Sequence, residues 1–256
     1  MTEYTDYYGP EGLRTRGTVV VVPGRGETRA TYTRLGKRLA AEAYRVRVVD
    51  APGIDADDLA GSLTRFGKQL AAAAKDSAPG EDGVVRPLVL VGADRGAVAV
   101  AALLGRNDAP SSGRPDAVVL AGVPGRGATA VGGWEDELDV RTACPAHRGT
   151  LTEDAGIRCG ALDEAVPEAL LAAAYDSEPG VPTLLLVGDA DPLADREALV
   201  RAAKSLPRAR LSVVRDAHHD VLNDMQHRSV AAEIVTFLET LRNELVPVVT
   251  VDSSAW

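Results

Sequence analysis

The sequence predicts an α/β protein: a doubly wound, mainly parallel sheet with a small lid inserted late in the chain. Three observations carry this. Buried-type strands alternate with amphipathic helical stretches along most of the 256 residues, the order that builds right-handed βαβ units. One apolar run ends in Gly92-Ala93-Asp94-Arg95-Gly96 and passes into an Ala-rich run. That is a strand, a tight turn and a helix, with glycine where a Cβ would collide with neighbouring backbone. The alternation then stops between about 124 and 181 and resumes afterwards.

Residues 1–16 are polar and Tyr-rich, broken by Gly9-Pro10, and hold one edge strand at most. The stretch from Gly17 reads as a strand whose residues 18–22 are continuously β-branched, as a strand covered on both faces requires. It ends in the Gly-rich loop Pro23-Gly24-Arg25-Gly26-Glu27-Thr28. A helix follows, with Tyr32, Leu35 and Leu39 at helical spacing. The stretch 44–50 is the second strand, and Leu59, Leu63, Phe66 and Leu70 mark one face of the next helix. A loop at 76–86 leads into the strand before Asp94, and another strand follows at 116–122.

From 124 to 181 only short helical patches stand out, at 134–140 and 167–175. Order returns with strands at 183–188 and 209–214 and helices at 195–206 and 229–241. That makes six core strands, a core of residues 1–124 and 182–256, and a lid at 125–181. The lid falls over the strand C-terminal ends, where such sheets bind ligands. The tail at 246–251 is β-prone. It adds a strand to its own sheet or to a partner's edge, making a homodimer, or stays loosely ordered.

Composition excludes several functions. A net charge of −9 with no Lys/Arg block argues against nucleic acid or an anionic membrane as partner. The first residues carry neither a basic start nor an apolar stretch, so no secretory signal is expected, and no run reaches membrane-span length. A cytoplasmic, bacterial protein is the expectation, the second from its Ala-, Arg- and Gly-rich usage. Cys144 and Cys159 are too few for a zinc site and are expected to be two buried thiols rather than a disulfide. Neither metal nor cofactor is expected, only a small-molecule substrate.

Two later strand ends hold groups that would serve Asp94. Asp191 lies in Gly188-Asp189-Ala190-Asp191-Pro192, where a carboxylate would orient an imidazole; Asp189, Asp191 and Asp195 also suit turn and cap duties. His218 and His219 follow the last strand and can reach back over the turn. In chain order, Gly-x-Asp-x-Gly, Gly-x-x-Asp-Pro-x-x-Asp and His-Asp-x-x-Asn-Asp resemble the α/β-hydrolase superfamily. The last segment is similar to the histidine motif of lysophospholipases and monoacylglycerol lipases. The resemblance implies an Asp94–His219–Asp191 triad. It also implies an oxyanion hole from the backbone N–H of Arg25 (or Gly26) and of Arg95.

An Asp in place of the usual Ser changes the chemistry. A carboxylate attacking an ester would form a less stable anhydride, whereas at an electrophilic sp³ carbon it forms an alkyl ester that water then hydrolyses. Within the superfamily this implies epoxide hydrolases, haloalkane dehalogenases and fluoroacetate dehalogenase. The substrate signatures match in part. The loop Pro23-Gly24-Arg25-Gly26 replaces the His-Gly-x-Pro of epoxide hydrolases, and the lid holds a single Tyr, Tyr175, with Tyr32 as a second candidate. Arg95 replaces the halide-binding Trp of haloalkane dehalogenases. Asp94-Arg95-Gly96-Ala97 resembles the fluoroacetate dehalogenase turn, but Val98 stands near where that enzyme has a second Arg. Trp134, Arg141, His147 and Arg148 are candidate pocket residues, or part of a solvated helix. Epoxide hydrolysis through an alkyl-enzyme ester leads the hypotheses. The alternatives are a lyase, cyclase or rearrangement with Asp94 as general base, and a catalytically degenerate ligand-binding protein.

Overall fold

The computed structural model describes residues 4–75, 84–106, 114–129 and 132–254. The loop expected at 76–86 lies, for residues 76–83, outside the described residues. The strands are β1 (Thr5–Tyr7), β2 (Thr18–Val22), β3 (Arg45–Val48), β4 (Leu88–Ala93), β5 (Ala117–Ala121), β6 (Thr183–Gly188) and β7 (Ala209–Val214). They form one sheet in the order β1-β3-β2-β4-β5-β6-β7. All neighbours are parallel except β1, which pairs antiparallel with β3 at the edge. The six expected core strands are present, and the polar N-terminal stretch supplies the seventh.

The helices are α1 (Thr33–Ala41), α2 (Leu59–Lys75), α3 (Asp94–Leu104), α4 (Trp134–Arg141), α5 (Pro145–Glu153), α6 (Glu168–Tyr175), α7 (Arg196–Ser205) and α8 (His227–Arg242). Alternate residues of β2 feed opposite faces of the sheet. Val19 and Val21 join a cluster with Leu35 and Leu39 of α1 and Ile234 and Phe237 of α8. Val20 and Val22 join Leu63 and Phe66 of α2, the Ala/Val/Leu surface of α3, and Leu170 of α6. With two-sided burial, the central strands become the uninterrupted apolar runs seen in the sequence.

The segment between β5 and β6 carries α4, α5 and α6, and α5 is a helix that periodicity did not show. Its start is set by Pro145 at the first turn after Cys144, a position that suits proline. Of its nine residues only His147 and Leu151 are buried, so no apolar stripe announces it. The end of α4 is joined to the loop after β7. The His219 N–H donates to the Val140 carbonyl (3.2 Å), the Asp220 N–H to the Arg141 carbonyl (2.9 Å), and the Thr142 hydroxyl to Asp224 (2.7 Å).

One expectation changes, and one of the alternatives for the tail falls away. Both cysteines are free thiols, but Cys159 is exposed and only Cys144 is buried, because Cys159 stands in the turn after α5 rather than on a packed face. The tail adds no strand to the chain's own sheet; Val246, Val248, Val249 and Val251 are exposed. Among the described residues no helix is long and apolar enough to cross a membrane.

Candidate active site

The turn from β4 into α3 holds Asp94 at φ +45°, the left-handed region that a non-glycine residue adopts only when its surroundings impose it. The surroundings do. A Cβ on Gly92 would lie 2.6 Å from the Ala97 Cα, and one on Gly96 would run into the Pro23 carbonyl at the end of β2. The two glycines let the turn close against the sheet, and Asp94 is left projecting at the first turn of α3. Its carboxylate is buried but not apolar in its surroundings.

Asp94, His219 and Asp191 come together. His219 Nδ1 is 3.0 Å from Asp191 Oδ2, and Nε2 is 3.2 Å from Asp94 Oδ1. The second contact is an ion-pair approach rather than an aligned hydrogen bond, since Nε2 has no hydrogen-bond partner. Asp191 is fixed in turn by the Leu193 N–H, 2.8 Å from its Oδ1. The cap duties fall elsewhere: Asp195 caps α7 through the Ala198 N–H. His218 turns away to Asp224.

Arg25 does more than its backbone. Its N–H donates to Asp94 Oδ2 at 2.7 Å. Its guanidinium also lies along the carboxylate, with Nε 2.8 Å from Oδ2 and Nη2 2.8 Å from Oδ1. The side chain is fully buried, and Nη1 donates to the Glu164 carbonyl at 2.6 Å. Gly26, at φ +72°, accepts the Arg158 N–H through its carbonyl (3.0 Å) and packs against Ala161. Arg95 is half-buried, and its Nε has no partner. Among the described residues, the backbone N–H that reaches the Asp94 carboxylate is that of Arg25.

These contacts set the charges. Burial alone would raise the Asp94 carboxyl, but the Arg25 guanidinium and His219 outweigh it and hold it well below the usual range. Burial would lower the His219 imidazolium, but Asp191 and Asp94 outweigh it and raise it to about 10. The resting pair is therefore a carboxylate beside an imidazolium.

A cavity of ≈ 10 Å³ is lined by Asp94, His219, Glu27, Tyr32, Asp220 and Asn223, room for about one water. The Tyr32 hydroxyl donates to Glu27, and burial with the Glu27 charge pushes it well above the ordinary tyrosine range, which makes it a poor acid. His147 pairs with Asp220 (2.8 Å), so it is one residue removed from the triad. Tyr175 donates to the Pro124 carbonyl and lines a separate apolar cavity near α7; Trp134 is half-buried at the start of α4, outside the residues that line the Asp94 cavity. These two candidates are not brought to Asp94, because both lie on parts of the insertion that face elsewhere.

Beside the triad lies a charged group formed around Arg141, a candidate pocket residue in the sequence, and Glu27, which the sequence shows only as part of a turn. Arg141 donates to Glu137 through Nε (2.9 Å), approaches Asp220 (3.4 Å) and donates to the Arg25 carbonyl (2.7 Å). Glu27 accepts the Gly24 N–H at 2.7 Å. A carboxyl in a glycine-rich loop right after a buried strand was the signal available. Burial, then the Asp220 charge, raise Glu27 to about 7 against Arg141, Tyr32 and His147. A carboxyl raised on folding adds stability that is complete below about pH 4.5 and is lost as pH climbs through about 7. Urea unfolding of Glu27→Gln between pH 4 and 8 is expected to show that decline flattened by roughly 2–3 kcal/mol. A wild-type slope in the variant would assign it to another group.

No family model matches the sequence, and no curated protein matches it. Solved structures do. A monoacylglycerol lipase from Paleococcus ferrophilus superposes with a TM-score of 0.67 at 18% identity, covering 94% of this chain and 99% of that one. A soluble variant of the Saccharomyces cerevisiae monoglyceride lipase gives 0.68 at 14% identity, over 93% and 91%. A thermophilic esterase from Thermogutta terrifontis gives 0.58 at 19% identity, over 93% of each chain. The chain has the α/β-hydrolase fold.

Proposed function

We propose that the chain is a hydrolase of small epoxides acting through an alkyl ester on Asp94. The observation that carries this reading is the line of Asp94, His219 and Asp191 at three strand ends, with Asp94 on a strained turn and ionised. Asp94 Oδ1 attacks a ring carbon and the C–O bond breaks. The released alkoxide takes the Nε2 proton of the His219 imidazolium, so no lid tyrosine is needed. Esterification removes the Asp94 charge, one of the two anions that held His219 protonated, and leaves a neutral imidazole.

That imidazole is the base of the second step. It takes a proton from water as the water oxygen adds to Asp94 Cγ. The tetrahedral intermediate expels the diol oxygen, which takes the proton back from His219. The carboxyl proton left on Asp94 then passes to His219, restoring the resting ion pair. A carboxylate held so far below its usual range is a weak proton acceptor, which counts against Asp94 as a general base.

One turnover in heavy-oxygen water with a panel of terminal epoxides (1,2-epoxybutane, styrene oxide, 1,2-epoxydodecane) tests the reading. Label is expected in the peptide containing Asp94, and Asp94→Asn is expected to form no diol. Diol released from wild type without label in Asp94 would overturn the covalent route. The clamp of Arg25 on both carboxylate oxygens favours a second reading, a ligand-binding protein in which Asp94 is only a counter-ion. Wild type and His219→Ala would then be equally inert toward the whole panel.

A further inference from the structure

We infer that the Arg25 guanidinium is a catalytic residue of the second step, a charged donor in the oxyanion site. This rests on the alkyl-ester reading above. The two carboxylate oxygens of Asp94 are not equivalent. Oδ2 takes two donors from one residue, the Arg25 N–H at 2.7 Å and Nε at 2.8 Å. Oδ1 takes Nη2 at 2.8 Å, shares Nε at 3.1 Å, and faces His219 Nε2 at 3.2 Å. Oδ1 is on the side where the proton transfers happen, and it is the oxygen that is alkylated. Oδ2 becomes the ester carbonyl oxygen.

The guanidinium is held in place from both ends. Nη1 is tied to the Glu164 carbonyl at 2.6 Å. The Arg25 carbonyl accepts Arg141 Nη2 at 2.7 Å, and Arg141 is itself anchored on Glu137. Nε therefore stays on Oδ2 when the charge of the carboxylate is lost.

The effect on the two steps has opposite sign. In the resting state Arg25 stabilises the Asp94 anion, and that stabilisation is given up when Oδ1 is alkylated. When water adds to Cγ, the full negative charge reappears on Oδ2, under two donors already in position. Only interactions stronger in the transition state than in the state before it speed a step, and a preorganised donor of this kind contributes about 10²–10³-fold. Arg25 thus restrains ester formation and accelerates ester hydrolysis. A side chain that merely braced the loop would support both.

The test measures the two steps separately by rapid quench and intact mass, with the epoxide panel above, in wild type, Arg25→Lys and Arg25→Gln. Arg25→Lys keeps a cation against the buried carboxylate and so keeps the fold, which far-ultraviolet circular dichroism checks. Expected in Arg25→Lys is ester formation at or above the wild-type rate, ester hydrolysis about 10²-fold slower, and alkyl-enzyme accumulating toward one per chain. Arg25→Gln, where folded, is expected to exceed it in both respects. Equal slowing of both steps, or no accumulation of ester, overturns the inference. Wild-type label in Asp94 alongside such a result would leave the covalent reading standing. Wild-type turnover without label would remove that reading itself.

Discussion

His219→Gln is expected to lower epoxide turnover by about 10²–10⁴-fold, the range that a positioned acid–base group contributes, and to do so at both chemical steps. The two losses separate by choice of leaving group. An epoxide needs a proton as its C–O bond breaks, whereas an alkyl bromide releases bromide without one. With an alkyl bromide of matched size, His219→Gln is expected to form the Asp94 ester and stop there, giving a stable adduct in the mass spectrum. With the epoxide the same variant is expected to form that ester slowly. Equal adduct formation from the two reagents would show that His219 supplies no proton to the first step.

The pH profiles follow from the same charges. The first step uses an Asp94 carboxylate held well below its usual range and a His219 imidazolium at about 10. The expected kcat/KM is therefore flat across neutral pH and falls above about 10. The second step needs neutral His219 in the ester, where one of its two anionic neighbours is gone. The expected kcat rises with pH through a group that titrates below about 10, since the loss of the Asp94 charge lowers it. The sign for stability is the usual one for a raised histidine. The pairing contributes fully below about pH 6.5 and is lost as pH rises through about 10.

The fold was legible because its strands are buried on both faces, which writes them as unbroken apolar runs, and because the turn at Asp94 needs glycine on both sides. The edge strand β1 and helix α5 lack those marks. β1 has only three residues, and α5 presents polar residues nearly all round. At the site, each of Asp94, Asp191 and His219 follows its own strand, so chain order was enough to single them out. The charges around them were a different matter. Arg25 meets a residue 69 positions away, and Arg141 meets one 79 positions away. A lone Arg or Glu in a loop reads as solvated until its distant partner is known. In the sequence, therefore, Arg25 shows only its backbone N–H and Glu27 only its place in a turn.

Arg141→Ala is expected to cost about 3–5 kcal/mol, the penalty for leaving buried charge without its partner. The Arg141 side chain is buried, and so are the carboxylates of Glu137 and Asp220 that it meets. Burial disfavours the guanidinium, yet Asp220, Glu27 and Glu137 outweigh that and raise it above the ordinary arginine range. Arg141 is thus the main counter-charge to three acids, with His147 and His219 the other basic groups acting on Asp220. It also ties α4 to the Arg25 carbonyl, so its loss frees the residue that holds Asp94. If the cost is unpaired charge, removing one acid should recover part of it, and Glu137→Gln in the Arg141→Ala background is expected to regain at least 1 kcal/mol or so of the loss. If instead the arginine acts only by filling space, Glu137→Gln would restore nothing and Arg141→Met, which keeps most of the volume, would be close to wild type. Urea denaturation of the four proteins at pH 7 decides between charge and packing as what fixes this part of the chain against the site.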